Sequence, residues 1–143
     1  MPQITTQVPD LKQSGALMQV FIFPPSHTYY VAGMKSENIP IYTGVGLIDT
    51  GASISAIDVS VAKSLNLISR DIIPILTPSG IKNHYTYDVE FMLPQTLGFK
   101  KFSLEVTGCE LAKQGIQVLI GRDVLKECTF IFNGTTNTWE LHL

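Results

Sequence analysis

Short segments rich in β-branched residues, separated by prolines and glycines, are the feature that most constrains the fold of this chain. Ile, Val and Thr account for 38 of the 143 residues, and 11 glycines and 8 prolines interrupt them. β-Branched side chains favour pleated strands, whereas Pro cannot donate a hydrogen bond to a strand ladder. Leu17–Phe23 is a clear example, because this apolar run ends at Pro24-Pro25. The pattern predicts a mostly β domain.

Two hairpins are predicted where turn-forming residues separate apolar runs. The first has its turn at residues 78–83, where Pro, Ser, Gly and Asn cluster, and the second at Asn133-Gly134. The strands that we predict after Leu17–Phe23 lie, in chain order, at residues 29–33, 39–43, 72–77, 85–93, 99–107, 117–120, 129–132 and 139–143.

One segment changes from a strand-like period to a helical one. Ile57, Val61 and Leu65 recur every four residues, which predicts a helix of two to three turns. The carboxylate of Asp58 is placed to cap the N-terminus of this helix. A second short helix is predicted at residues 122–128.

The length of the chain suits one domain. Residues 1–15 are polar and show no period, so we expect them to form a mobile arm. Residues 16–143 are then the folded domain.

The charge balance excludes several classes of partner. Ten basic against twelve acidic residues give a net charge of −2, which provides no electrostatic surface for nucleic acid or an anionic membrane. No apolar run approaches the roughly 20 residues of a membrane span. Cys109 and Cys128 are interpreted as small buried residues in a reducing compartment. We therefore expect a cytoplasmic protein, and a fragment of a longer chain would show the same features.

The residues most informative about function are the tetrad Asp49–Ala52, which follows the apolar pair Leu47-Ile48. A carboxylate after a buried strand end lies here in a turn formed by Thr50 and Gly51. Asp, Thr and Gly commonly occur together in turns, so an ordinary Asx-type turn is the structural alternative. Such a tetrad occurs by chance in about one chain in a hundred of this length.

The tetrad and its context resemble the aspartic proteases, specifically the retropepsins, the retroviral-type single-domain branch. Val118–Asp123 is similar to the family's second signature, in which two apolar residues and Gly precede Arg and then Asp or Asn. Between the two motifs, the hairpin around Gly80 takes the place of the family's flap. The resemblance covers residues 16–143. It implies a retropepsin-like acid-protease fold, a closed and mostly antiparallel β-barrel-like protomer with one or two short helices.

The resemblance also implies an aspartic endopeptidase. Such enzymes hold a water molecule between two carboxylates that share a proton, because like charges about 3 Å apart cannot both ionise. The ionised carboxylate activates the water, and the protonated one polarises the scissile carbonyl. The sequence contains one tetrad of this type, so the second carboxylate must be Asp49 of a second copy in a symmetric homodimer. No metal and no cofactor are implied.

Further roles follow by resemblance alone. Thr50 would hydrogen-bond the opposite loop across the dimer axis, and Gly51 would let the substrate backbone approach closely. The other residues expected to bind substrate, two of them in the flap, are Ala52, Ser53, Gly80, Ile81 and Ile120.

Three residues of the second signature are expected to be structural. Gly121 would let the preceding apolar residues pass behind the catalytic turn, with a simple helix-start glycine as the alternative. Arg122 would tie the catalytic loop to the helix that contains Asp123. Because Ser53 replaces the acidic partner that this Arg has in the family, we expect Asp58 or Asp123 to substitute.

The expected substrates are proteins or peptides bound in extended form between flap and carboxylates, with hydrophobic or aromatic residues at the scissile bond. A catalytically inactive dimerisation or peptide-binding domain of the same fold is the alternative. We expect the C-terminal hairpin at residues 129–143 to contribute to dimerisation, as terminal strands do in this family, because an apolar strand at residues 139–143 would otherwise be an unprotected edge; an interface in the N-terminal arm is the alternative. The Met start and the C-terminal hairpin favour a cellular or bacterial stand-alone member over a polyprotein segment.

Overall fold

β-Strands form most of the backbone in the computed structural model of the chain, which describes residues 3–26, 33, 35, 38–95 and 98–143. The strands are β1 Gln3–Gln7, β2 Leu17–Phe23, β3 Tyr42–Ile48, β4 Ala56–Asp58, β5 Asp71–Thr77, β6 Gly80–Gln95, β7 Gly98–Cys109, β8 Val118–Ile120, β9 Thr129–Asn133 and β10 Thr138–His142. The helices are α1 Leu11–Ser14, α2 Val59–Ser64 and α3 Arg122–Leu125, with a 3-10 turn at Ala112–Gln114. Most of the strand predicted at residues 29–33 lies outside the described residues.

Six strands close into a barrel. They are hydrogen-bonded in the order β2-β3-β8-β4-β7-β6, and β6 returns to β2 through the antiparallel pairing of Phe21–Phe23 with Glu90–Met92. The pairs β3–β8 and β4–β7 are parallel and the other pairs of the barrel are antiparallel. β5 pairs with β6 outside the barrel and forms a projecting hairpin. The predicted closed, mostly antiparallel β fold is confirmed, and the described residues form three short helices where one or two were expected.

Alternating side chains of the barrel strands form the core. In β2 the buried residues are Met18, Val20 and Ile22, which point to one face as the period of a strand requires. Helix α2 covers one end of the core with its buried residues Val61 and Ala62. The interior is thus closed by helix as well as by sheet.

The N-terminal segment differs from the predicted mobile arm. Strand β1 pairs antiparallel with β10, from Gln3 opposite His142 to Gln7 opposite Thr138. Leu11 in α1 is completely buried. The polar composition of this segment concealed the strand, because one of its faces is exposed to solvent and needs few apolar residues.

The C-terminal strand has a neighbour on both of its edges. β10 is the central strand of a three-stranded sheet, with β1 on one side and β9 on the other. Its Trp139 and Leu141 are fully buried in the same core as the barrel. Within one chain β1 thus covers the edge of residues 139–143 that was expected to need a partner for protection, and the role of the hairpin at residues 129–143 in dimerisation stays a prediction.

The burial of Trp139 predicts a large loss of stability in Trp139→Ala. Deleting a fully buried aromatic side chain costs about 3–5 kcal/mol. Phe132→Ala is the matched control, because Phe132 lies opposite Trp139 in β9 and is 52% exposed. Urea unfolding at several protein concentrations should show the larger loss in Trp139→Ala at every concentration. A loss that disappears at high protein concentration would instead place this strand at a subunit interface.

Asp58 joins the end of β4 to two other elements. As predicted, its carboxylate caps α2, and Oδ2 accepts the Ser60 backbone N–H at 3.0 Å and also the Ser60 hydroxyl. Oδ1 accepts the backbone N–H groups of Leu111 at 2.7 Å and Ala112 at 2.8 Å. Burial alone would raise the pKa of Asp58, but these hydrogen bonds outweigh it and lower the pKa from 3.8 to about 2.

This lowered pKa predicts an acid-sensitive contribution to stability. Because the folded-state pKa lies below the unfolded value, the contribution is present above pH 4 and is lost as the pH falls from about 4 to 2. It amounts to about 2 kcal/mol. Urea unfolding of Asp58→Asn between pH 7 and 2.5 should show lower stability at pH 7 and a flatter pH dependence than in the wild type.

The control is Asp10→Asn, because Asp10 caps α1 at an exposed position and Asn caps equally well. This variant should keep the wild-type pH dependence. Equal pH dependence in Asp58→Asn and the wild type would contradict the assignment.

Candidate active site

The tetrad Asp49–Ala52 begins where β3 ends. Parallel pairing with β8 places Ile48 beside Ile120, and the Asp49 N–H then donates to the Ile120 carbonyl at 2.9 Å. The Gly51 N–H donates to Asp49 Oδ1 at 2.9 Å, and the Ala52 N–H donates to the Asp49 carbonyl at 3.3 Å. The tetrad therefore forms a tight Asx-type turn. Asp49 is half-buried, whereas Thr50 and Gly51 are exposed.

Arg122 ties this turn to helix α3 through backbone groups. Its Nη1 donates to the Thr50 carbonyl at 2.8 Å, and its N–H donates to the Ala52 carbonyl at 2.8 Å. Neither Asp58 nor Asp123 forms an ion pair with it among the described residues. Both carboxylates are engaged elsewhere, because Asp58 caps α2 and Asp123 bonds to Ser55.

Ser55 holds the other end of the loop that begins at Asp49, a role that our sequence reasoning missed. Its side chain is completely buried, and Oγ donates to Asp123 Oδ1 at 2.6 Å and accepts the Gly121 N–H at 2.9 Å. The Ser55 N–H donates to Asp123 Oδ2 at 2.9 Å. A serine directly before the apolar run Ala56-Ile57 was the available signal, since a buried hydroxyl requires partners.

Gly121 lies against the backbone of the same loop. A Cβ at this position would lie 2.9 Å from the Ala52 carbonyl oxygen and 3.0 Å from the Ile54 carbonyl carbon. Its φ of −92° is ordinary, so close backbone packing accounts for the glycine and conformational freedom does not. Gly121 is also the N-cap of α3. It therefore packs against the loop and begins the helix as well.

A cleft of about 470 Å³ opens beside the tetrad, beneath the β5–β6 hairpin. None of the residues that line it is charged. They are Gly51, Ala52, Ser53, Ile54, Ala56, Ile73, Pro74, Ile75, Leu76, Thr107, Cys109 and Leu119.

The substrate-binding residues predicted from the sequence divide into two groups. Ala52 and Ser53 line the cleft. Ile120 is fully buried, because alternation along β8 turns Leu119 towards the cleft instead. Gly80 and Ile81 lie near the hairpin tip and do not line the cleft, although Ile81 pairs directly with the lining residue Leu76.

The hairpin turn is also tighter than predicted. Thr77 pairs with Gly80, which has a φ of +114°, so residues 81–83 belong to strand β6. The cleft is consequently lined by β5, in particular by the half-buried Ile73 and Ile75. Sequence reasoning missed these two residues, because Ile72 and Leu76 beside them are also apolar and no alternation in the sequence marks one face.

Cys109 lies in the floor of the cleft beside His84. Its Sγ is 3.7 Å from His84 Nδ1 and 3.6 Å from Thr107 Oγ1. His84 Nδ1 lies 3.0 Å from the Gly108 carbonyl, and since a carbonyl only accepts, this nitrogen is the donor. Burial raises the pKa of the Cys109 thiol, so the thiol is a weak nucleophile.

The comparison with solved structures supplies one similarity over nearly the whole chain. The crystal structure of a retropepsin-like aspartic protease from Rickettsia conorii matches with a TM-score of 0.60 and 14% identity. The match covers 97% of this chain and 89% of that protein. No protein-family profile and no curated protein matches the sequence. The fold of this chain is retropepsin-like.

Within the retropepsin-like fold, the site combines one carboxylate with an apolar cleft. Asp49 is positioned by backbone hydrogen bonds at the mouth of a cleft wide enough for an apolar side chain. No group of three or more His, Cys, Asp or Glu residues that could hold a metal occurs in the described part of the chain. Nor does any helix there have the length and apolar character to span a membrane.

The Ser55 contacts predict that Ser55→Ala destabilises the domain by about 1–3 kcal/mol, because it leaves the Gly121 N–H and one Asp123 oxygen without this partner in a buried region. Ser53→Ala is the matched control, because Ser53 is exposed two residues earlier in the same loop. Urea unfolding of both variants measures the difference. Equal stability of the two variants would show that the Ser55 contacts contribute nothing net.

Proposed function

We propose that this protein is an aspartic endopeptidase that acts as a homodimer. The observation that carries the proposal is the position of the Asp49–Gly51 turn, in which Asp49 is half-buried and Gly51 lines the uncharged cleft beneath the β5–β6 hairpin. Each chain supplies one such carboxylate, and hydrolysis by this chemistry requires two. The second is Asp49 of the partner, related by a twofold axis.

The proposed mechanism uses both carboxylates and one water molecule. The ionised Asp49 accepts a proton from the water while the water oxygen attacks the scissile carbonyl carbon. The protonated Asp49 of the partner polarises the carbonyl oxygen and donates a proton to it. Asp49 then gives the proton taken from the water to the amide nitrogen, the C–N bond breaks to release the amine, and a hydroxyl of the tetrahedral intermediate returns a proton to the partner's carboxylate. No metal and no cofactor take part in these steps.

The neighbouring residues would position this chemistry. The contact of Arg122 with the Thr50 carbonyl fixes the turn and leaves the Thr50 hydroxyl exposed, where it can bond the partner's loop. Gly51 leaves space for the substrate backbone. The Gly121 contact and the Ser55–Asp123 contact hold the loop from below.

The proposed substrates are polypeptides bound in extended form between the hairpin and the carboxylates. The uncharged lining of the cleft suits apolar side chains near the scissile bond, in agreement with the sequence prediction. Gly80 and Ile81 at the hairpin tip remain candidates to contact substrate when the hairpin closes. The cytoplasmic location expected from the sequence is part of this proposal, and both cysteines are free thiols.

The proposal predicts that Asp49→Asn abolishes cleavage of an apolar peptide library and leaves folding and dimerisation intact, because an amide cannot act as the base. Each site needs two carboxylates, so mixed dimers should also be inactive. With a ninefold excess of Asp49→Asn and free subunit exchange, activity per wild-type subunit should fall to about one tenth. Steady-state cleavage rates and sedimentation velocity measure these quantities.

Asp10→Asn is the matched control: it keeps Asp49, so mixing it with the wild type should leave the activity per total subunit unchanged. Strict proportionality of activity to the wild-type fraction in mixtures with Asp49→Asn would indicate a monomeric site. A wild-type dimer that binds peptides without cleaving them would favour the inactive peptide-binding domain instead.

A further inference from the structure

We propose that Lys82 makes this cleft select peptides with an acidic side chain close to the apolar residue that fills it. The inference rests on the proposed function and specifies its substrate class. It follows from the strand register of the β5–β6 hairpin, from the charges around the cleft and from the geometry of an extended peptide.

The register places Lys82 on the cleft-facing side of the hairpin. Lys82 pairs directly with Ile75, as His84 pairs with Ile73. Residues directly opposite each other in antiparallel strands project to the same face, with Cβ atoms about 4.5–5.5 Å apart. Ile75 and Ile73 are half-buried and line the cleft. The Lys82 side chain therefore stands on the face that a bound peptide would meet.

The ammonium group of Lys82 has no acidic partner among the described residues. Two other cations are paired with carboxylates, since Lys101 lies 3.0 Å from Glu90 and Arg70 lies 2.9 Å from Asp88. Arg122 is held by the Thr50 carbonyl. Lys82 is exposed, and the lining of the cleft offers no anion to neutralise it. A peptide can supply the missing charge.

The geometry of an extended peptide fixes where this charge belongs. Side chains two residues apart project to the same face of a strand and lie about 6.5 Å apart. When a peptide places an apolar side chain against Ile75, the side chain two residues along the peptide therefore points to the edge of the cleft where Lys82 stands. The flexible four-carbon stem of Lys82 lets its ammonium reach a carboxylate there. The net charge of −2 would not attract acidic peptides, so the preference must be local.

The test uses fluorogenic octapeptides with an apolar core taken from a cleaved library member. A single Glu or Gln is placed in turn at each position flanking the core. For one or two positions, the wild type should prefer Glu over Gln by about two- to fivefold in kcat/KM at low ionic strength. The preference should shrink in 0.5 M salt. Lys82→Gln should abolish the preference for Glu over Gln. Lys82→Glu should reverse it, so that the Gln peptides, and peptides with Lys at the same position, are cleaved faster than the Glu peptides.

Lys63→Gln is the control, because Lys63 is an exposed lysine in α2 and does not line the cleft. It should keep the wild-type preference. If the wild type cleaves the Glu and Gln peptides at equal rates, the inference is overturned and the endopeptidase proposal stands.

If no peptide is cleaved, the endopeptidase proposal fails, and binding of the labelled Glu and Gln peptides to the wild type then decides the role of Lys82. Equal binding of the Glu and Gln peptides, or no binding of either, would overturn the proposed role of Lys82.

Discussion

The parallel pairing of β3 with β8 is the constraint on which the candidate site depends. The two strands are more than sixty residues apart in the sequence, and their pairing brings the Asp49 turn next to Gly121. Because a parallel pair ends on the same side of a sheet, the loop after β3 and the helix after β8 start side by side. The contacts of Arg122 and of Asp123 with the loop are possible only in this arrangement.

Closure of the barrel holds the β3–β8 pair in place, and this pair in turn supports the Asp49 turn. β6 pairs with both β7 and β2, so no strand edge of the barrel is left open around the core. Asp58 adds a second connection, since its carboxylate binds α2 and the segment after β7 together. Such a buried carboxylate is stable because several donors replace the water it has lost. The loop that begins at Asp49 is thus anchored to strands that are hydrogen-bonded to one another around the barrel.

The sequence predicted those features that depend on local patterns. The alternation in Leu17–Phe23, the cap at Asp58 and the turn at the Asp49 tetrad each depend on residues within a few positions. The missed features depend on distant partners. β1 is a strand because β10 is beside it, and Ser55 matters because Asp123 lies next to it. The cleft-lining residues of the hairpin required its exact register, which the broad turn at 78–83 left undefined.

The distribution of burial explains how one fold can combine a firmly held Asp49 turn with a weakly held hairpin above it. None of the seven residues of β5 is buried, and outside its ladder with β6 this strand has little to hold it. A two-stranded hairpin is only marginally stable by itself. The loop below it is held by completely buried groups such as Ser55 and Ile120. Elements with few buried contacts open at low free-energy cost, whereas densely bonded ones do not. The cleft should therefore open by movement of the hairpin, while the Asp49 turn keeps its geometry.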